Sequence, residues 1–192
     1  MDYAARKFGP DDRVEWQQAD AADLPIPDQC IDAVVCQFGL MFVPDKQKAV
    51  GEVHRVLNPG GTFLFNVWDR IELNDLACTT HETVASFFQS DPPTFYEVPF
   101  SLYDPAVIQE LMTAGGFRDL NLTPLEIESV SPSAVDLAKG LVQGNPVVTT
   151  INERQPQSLT KIIAAVATAV SHRCGDRPVK AKMRALVCSA VK

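Results

Sequence analysis

The chain has 192 residues, of which 46% are hydrophobic and 21% charged, a composition typical of a soluble globular domain with a sizeable core. Its net charge is −7, so we expect it to bind neither nucleic acid nor an anionic membrane, because both would repel it. The five cysteines form no C-x-x-C pair and have no histidine at metal-binding spacing, which predicts no metal site and reduced thiols in the cytoplasm.

The first third of the chain shows a short helix and two candidate strands. Met1 to Phe8 predicts a helix that ends at Gly9 and Pro10. Residues 13–18 (RVEWQQ) alternate in strand fashion. Ile31 to Phe38 (IDAVVCQF) is a continuous apolar run bounded by turns, which is typical of a strand covered on both faces and therefore of a parallel sheet.

The next segment completes a strand–helix–strand unit. Asp45 to Leu57 has apolar residues at helical spacing, and Asn58 to Gly61 (NPGG) ends that helix. Thr62 to Trp68 (TFLFNVW) then predicts a second buried strand. Two strands joined by a helix are expected to be parallel neighbours in one sheet.

The remaining pattern alternates between helices and strands. It predicts an α/β fold in a single domain over residues 1–192, with no internal repeat or linker. The predicted helices are Leu76 to Phe88, Asp104 to Ala114, Pro132 to Val142 and Gln155 to His172, and the predicted strands are Arg118 to Glu128 and Met183 to Val191.

The run QQADAADLPIPDQCIDAVVCQFGLMFVPDKQKAVGEVHRVLNPGGTFLFNVWD resembles the second half of a class I S-adenosylmethionine-dependent methyltransferase. The likeness is strongest to the small-molecule branch that includes quinone-biosynthesis methyltransferases. Five features carry it in order: an acidic residue that closes one strand, the L-P-x-x-D turn, the D-x-V strand, the R-V-L-x-P-G-G helix stop, and A-G-G-F before a later strand.

The resemblance implies an incomplete Rossmann-like methyltransferase fold with a mainly parallel sheet, helices on both faces and a helical lid over residues 69–100. It implies S-adenosylmethionine as cofactor, with Asp20 and Ala21 at the adenine ring and with Cys36 and Gln37 near the methyl donor. A small-molecule substrate would lie against the following residues: Phe38, Phe42, His81 and Phe88.

The sequence departs from the family at its beginning. It contains no G-x-G-x-G, and only 19 residues precede Asp20, whereas a strand–helix–strand unit needs roughly 30. We therefore expect that the glycine-rich cofactor half is absent, either because the chain is truncated or because it is a natural short protein. Weak binding of S-adenosylmethionine follows from that expectation.

Several residues keep an alternative structural interpretation. Asp20 is alternatively a turn residue, and Phe38 and Phe42 are alternatively an apolar seam between strand and helix. His81 begins HETVA rather than H-E-x-x-H, so it is a candidate general base or a solvated helix residue, and not a zinc ligand.

Two functions remain open from the sequence. The first is methyl transfer from S-adenosylmethionine to a small apolar molecule, if the missing half completes the chain. The alternative is a non-catalytic ligand-binding or dimerisation module. Because complete relatives flank the strand Asp32 to Phe38 with a strand that this chain lacks, we expect an open sheet edge and a homodimer.

Overall fold

The computed structural model describes residues 2–9 and 12–192. Within these ranges the chain forms one four-stranded sheet and seven helices, and short 3-10 turns connect several of them. The strands are β1 (Ile31–Gln37), β2 (Leu57–Trp68), β3 (Arg118–Ser131) and β4 (Val179–Val191). The helices are α1 (Asp2–Ala5), α2 (Lys46–Val56), α3 (Asp75–Ala85), α4 (Pro105–Ala114), α5 (Ala134–Gln143), α6 (Val147–Arg154) and α7 (Leu159–Cys174).

The sheet has the strand order β1-β2-β4-β3. β1 and β2 are parallel neighbours, as the strand–helix–strand pattern predicts, whereas β4 pairs antiparallel with both β2 and β3. The α/β class is confirmed, but the expectation of a mainly parallel sheet is wrong: the sheet is mixed. The reason is that β3 and β4 form a long antiparallel ribbon, although α5, α6 and α7 separate them along the chain.

One face of the sheet packs on α2 and α4. Phe63, Phe65 and Val67 of β2 are almost fully buried on this face, and Ile108 and Met112 of α4 pack against them. The helices form where local signals start and stop them: the side chains of Asp45 and Asp104 cap α2 and α4 by accepting backbone N–H bonds.

A second core lies beside the far end of the β3–β4 ribbon. It combines α3, α5 and α7 with the first residues of β4. The buried side chains at its centre include Val84, Ala138, Val142, Ile162, Val166, Val170, Val179 and Ala181. The predicted lid segment 69–100 contributes α3 and two 3-10 turns to this helical layer.

The opposite face of β1 and β2 is left open. Val35 is 60% exposed, and Leu64 and Val187 are each 40% exposed. The prediction that β1 is covered on both faces is therefore wrong, because no helix among the described residues packs over this half of that face. β1 is instead an edge strand of the described sheet.

The segment 13–18 forms no strand, which corrects a second expectation. Its alternating side chains point into solvent, with Val14 41% and Trp16 43% exposed. An alternating pattern becomes a strand only when a neighbour satisfies its backbone groups, and the described residues place none beside it.

Candidate active site

An aromatic stack lies where β1 and β2 end. The ring of Phe38, which directly follows β1, stacks on Trp68 at the end of β2, with 4.3 Å between ring centroids and 25° between the planes. Phe100 continues the stack at 6.0 Å from Trp68. Phe38 has a φ of +51°, an uncommon conformation for a bulky residue. Its N–H is nevertheless bonded to the Asn66 carbonyl.

An apolar cavity of about 280 Å³ opens beside this stack. Phe42 stands at its edge and is 52% exposed. Aromatic and aliphatic side chains form most of the wall, and the few polar groups include Asn74, whose amide is already bonded to backbone carbonyls. The lining residues include Phe42, Trp68, Leu76, Phe95, Tyr96, Phe100, Leu141 and Met183. Such a pocket suits a flat apolar molecule.

A second cleft of about 410 Å³ shares two of its walls, Tyr96 and Phe100, with the apolar cavity. His81 reaches this cleft from α3, and Arg70 and Glu72 line it as well. The Tyr96 hydroxyl donates to the Leu141 carbonyl at 3.1 Å, and burial raises the pKa of Tyr96 to about 12. The Tyr96 hydroxyl is therefore protonated near pH 7, so this side chain lines the cleft but does not act as a base.

The residues predicted to contact substrate do not all come together. Phe38 and Phe42 lie at the stack and the apolar cavity, and His81 lies in the adjoining cleft. Phe88 is only 8% exposed within the helical core and borders a different cleft, where the Arg154 guanidinium lies 5.0 Å from its ring. Replacing Phe88 is thus expected to disturb folding, contrary to a simple lid-surface role.

The residues predicted to contact cofactor lie on two separate segments. Asp20 is exposed, and its Oδ1 accepts the Ala22 N–H at 2.9 Å within a turn that also contains Ala21. Cys36 is half-buried near the end of β1. Gln37 is exposed and borders a 290 Å³ groove on the open sheet face.

Two of the recognised motifs contact each other. Arg55, from R-V-L-x-P-G-G, donates to the carbonyls of Leu24 and Ile26 and to the carboxylate of Asp28, all within L-P-x-x-D. Glu52 completes the arrangement by accepting from Arg55 and from the Leu24 N–H. We call these contacts between Glu52, Arg55 and residues 24–28 the Arg55 clamp.

Sequence reasoning missed Trp68 and Phe100 as site residues. Trp68 had a usable signal, because it is the last residue of a strand whose carboxyl end faces the site, and it directly precedes the turn at Asp69. Phe100 had none, since its segment has no regular periodicity and only packing brings it to β2.

Other chemistry has little support in the described part of the chain. Residues 2–9 and 12–192 contain no group of three or more His, Cys, Asp or Glu side chains arranged to hold a metal. Cys78, Cys174 and Cys188 are buried, and burial raises the pKa of the Cys188 thiol to about 12. Within the same ranges, no helix is both long and apolar enough to span a bilayer.

Residues 1–65 match the family described as "Methyltransferase domain". Over 61 residues the chain is 46% identical to demethylmenaquinone methyltransferase of Clavibacter sepedonicus, a match that covers 32% of this chain and 25% of the relative. Over 59 residues it is 46% identical to the ubiquinone/menaquinone biosynthesis C-methyltransferase UbiE of Enterobacter sp. strain 638, covering 31% and 24%. The match thus spans about a quarter of these relatives' length.

Solved structures share the fold at low sequence identity. The YcgJ protein of Bacillus subtilis superimposes with a TM-score of 0.60 at 18% identity, covering all of this chain and 75% of that one. The [4+2]-cyclase SpnF superimposes with a TM-score of 0.55 at 19% identity, covering 98% and 60%. The fold alone therefore does not decide the reaction. The predicted resemblance to class I S-adenosylmethionine-dependent methyltransferases is confirmed by the sequence matches.

Proposed function

We propose that this chain, which resembles the class I methyltransferases over residues 1–65, takes part in methyl transfer from S-adenosylmethionine to a small, flat, apolar acceptor. The observation that carries the proposal is the apolar cavity next to the stack of Phe38, Trp68 and Phe100. We propose that residues 1–192 form a single domain and that segment 69–100 is the lid over the acceptor. One relative is named for methylation of demethylmenaquinone and another for ubiquinone/menaquinone biosynthesis, which supports a quinol as acceptor.

The residues present fit one end of the cofactor. Asp20 uses only Oδ1 in its own turn and is exposed, so its carboxylate suits the amino group of an adenine ring. The sequence offers no glycine-rich loop for the methionine end. When bound, S-adenosylmethionine supplies an electrophilic methyl group on a positively charged sulfur.

The chain's own contribution is to bind and align the acceptor. The aromatic walls would hold a planar ring by stacking, which fixes its orientation and excludes water. His81, in the cleft that shares Tyr96 and Phe100 with the cavity, would accept a proton from the acceptor's hydroxyl group if the nucleophile must be ionised. Alignment of this kind needs no catalytic triad.

The test is transfer of a tritiated methyl group from S-adenosylmethionine to 1,4-naphthoquinol. The variant Phe42→Ala should raise the KM for the quinol several-fold, because Phe42 borders the cavity. The control Val107→Ala removes a comparably exposed side chain, at 48% against 52%, on α4 and should leave KM unchanged. Naphthoquinol that quenches Trp68 fluorescence in a Trp16→Phe background without accepting label would indicate a binding module instead.

We also propose that the protein works in the cytoplasm as a homodimer. A reducing compartment would keep its five thiols unpaired. In the described residues no strand pairs with the outer edge of β1, and an open edge of this kind favours pairing with a second strand. Val35 is 60% exposed on the open face of the same strand. Light scattering after gel filtration should show more than one 21.0 kDa chain per particle. The variant Val35→Lys should be a monomer in the same measurement. A monomeric wild type would exclude the dimer.

A further inference from the structure

We infer that Arg55 and Glu52 are positioning residues that hold the turn 20–28 against α2 and thereby orient Asp20 and Ala21 toward the adenine ring. The inference rests on the proposed function, because it takes those two residues as the adenine contacts. It assigns a role to Arg55, which otherwise belongs only to the helix-stop motif, and to Glu52, which lies outside that motif.

The guanidinium of Arg55 binds three consecutive parts of the turn. Nη2 donates to the Leu24 carbonyl at 2.9 Å, and Nη1 donates to the Ile26 carbonyl at 2.8 Å and to Asp28 Oδ1 at 2.6 Å. These contacts join residues that lie about 30 positions apart along the chain. One rigid planar group therefore sets the path of a five-residue stretch.

Glu52 fixes the guanidinium and the turn together. Its carboxylate accepts from Arg55 Nε and Nη2, each at 2.8 Å, and from the Leu24 N–H at 2.8 Å. The bidentate geometry leaves Arg55 one orientation, and the hydrogen bonds from Arg55 and from Leu24 lower the pKa of Glu52 to about 2. The carboxylate is thus ionised throughout the physiological range.

Besides the clamp, two backbone bonds hold the end of the turn: the N–H groups of Gln29 and Cys30 donate to the carbonyls of Arg55 and Val56. Between residues 12 and 30 only three side chains are half-buried, those of Ala22, Leu24 and Ile26, and the described remainder is exposed. No strand of the described sheet includes this segment. α2, by contrast, is anchored by fully buried Val50 and Val56. The clamp therefore connects a weakly packed turn to a rigid helix.

Loss of the clamp should weaken cofactor binding without removing any cofactor contact. If the turn spends only a tenth of its time docked, the apparent dissociation constant rises about 10-fold. We expect a 5- to 10-fold increase for Arg55→Ala and a smaller one for Glu52→Gln, which retains a hydrogen-bond acceptor at the same place.

The experiment is an NMR titration of ¹⁵N-labelled protein with S-adenosylhomocysteine, following the amides of Ala21 and Ala22. Wild type, Arg55→Ala and Glu52→Gln are compared with Arg173→Ala. This control breaks another half-exposed ion pair, with Asp75, in the helical layer. We expect the two clamp variants to shift the binding curve and the control to coincide with wild type.

The outcomes separate the two proposals. If the Ala21 and Ala22 amides of wild type do not respond to the ligand, the placement of the cofactor in the proposed function is wrong. If they respond and both clamp variants bind within twofold of wild type, the positioning role is wrong. Should Arg55→Ala fail to fold, Glu52→Gln alone decides, and faster hydrogen exchange of the Leu24 amide provides an independent measure of undocking.

Discussion

Replacing Gly115 by alanine should destabilise the protein by overpacking the contact between α4 and α2. A Cβ atom at this position would overlap Val50 Cγ1, closer than any van der Waals contact allows. Val50 is fully buried, and a valine has one strongly preferred rotamer in a helix, so its methyl group cannot swing away. The backbone of Gly115 has an ordinary φ of −78°, which leaves steric overlap as the cause.

Overpacking of this kind costs about 2–3 kcal/mol, which for a chain of this size lowers Tm by roughly 5–10 °C. Urea unfolding followed by circular dichroism measures the loss. Gly51→Ala is the matched control, because a Cβ there meets nothing within 4 Å. It should stabilise α2 by about 0.5–1 kcal/mol through helix propensity alone.

A double-mutant cycle identifies the clash itself. In a Val50→Ala background the Cγ1 methyl is gone, so Gly115→Ala should cost at least about 1 kcal/mol less than in wild type. The cost of Val50→Ala alone cancels in the cycle. Equal costs in both backgrounds, or a loss below about 0.5 kcal/mol in wild type, would refute the steric explanation of this glycine.

Three further expectations concern pH, cofactor affinity and the helical core. The pKa of Glu52 is about 2 when folded against 4.5 as its ordinary value, so its stabilisation is complete above pH 4.5 and is lost as the pH falls toward 2. Because this side chain is 17% exposed, we expect it to contribute about 1–2 kcal/mol to the free energy of unfolding. In the variant Glu52→Gln the free energy of unfolding should depend less on pH over that range, and an unchanged pH dependence would contradict this. Isothermal titration should detect weak binding of S-adenosylmethionine, since each hydrogen bond missing with the glycine loop costs about 1 kcal/mol, whereas micromolar affinity would overturn the expectation. Phe88→Ser should lower the free energy of unfolding by about 3 kcal/mol or more, measured in urea; wild-type stability would instead indicate a ligand-facing ring.

Local signals in the sequence were sufficient for most individual helices and strands, although α6 was not predicted. Asp45 and Asp104 cap the helices that the periodicity predicts. The apolar run after the first helix becomes β2, which begins at Leu57 and not at Thr62, and the alternating run after the second becomes β3. These signals succeed because a cap or a helix stop acts within a few residues. The strand predicted over residues 13–18 does not form, because a strand also needs a neighbouring strand to pair with its backbone groups.

The choice of strand partners and the make-up of the site were decided only by tertiary structure. Nothing local in β3 and β4 shows that these two strands pair with each other across α5, α6 and α7.

The same reason applies to the site. Tyr96 and Phe100 lie about 30 residues from Trp68 in a segment without periodicity, and packing alone brings them beside its ring. The Arg55 clamp likewise joins two motifs that look independent along the chain. Sequence by itself determined which short segments could form and which family they resemble. Only the folded chain determined which of their side chains meet, because those contacts depend on distances that no local pattern encodes.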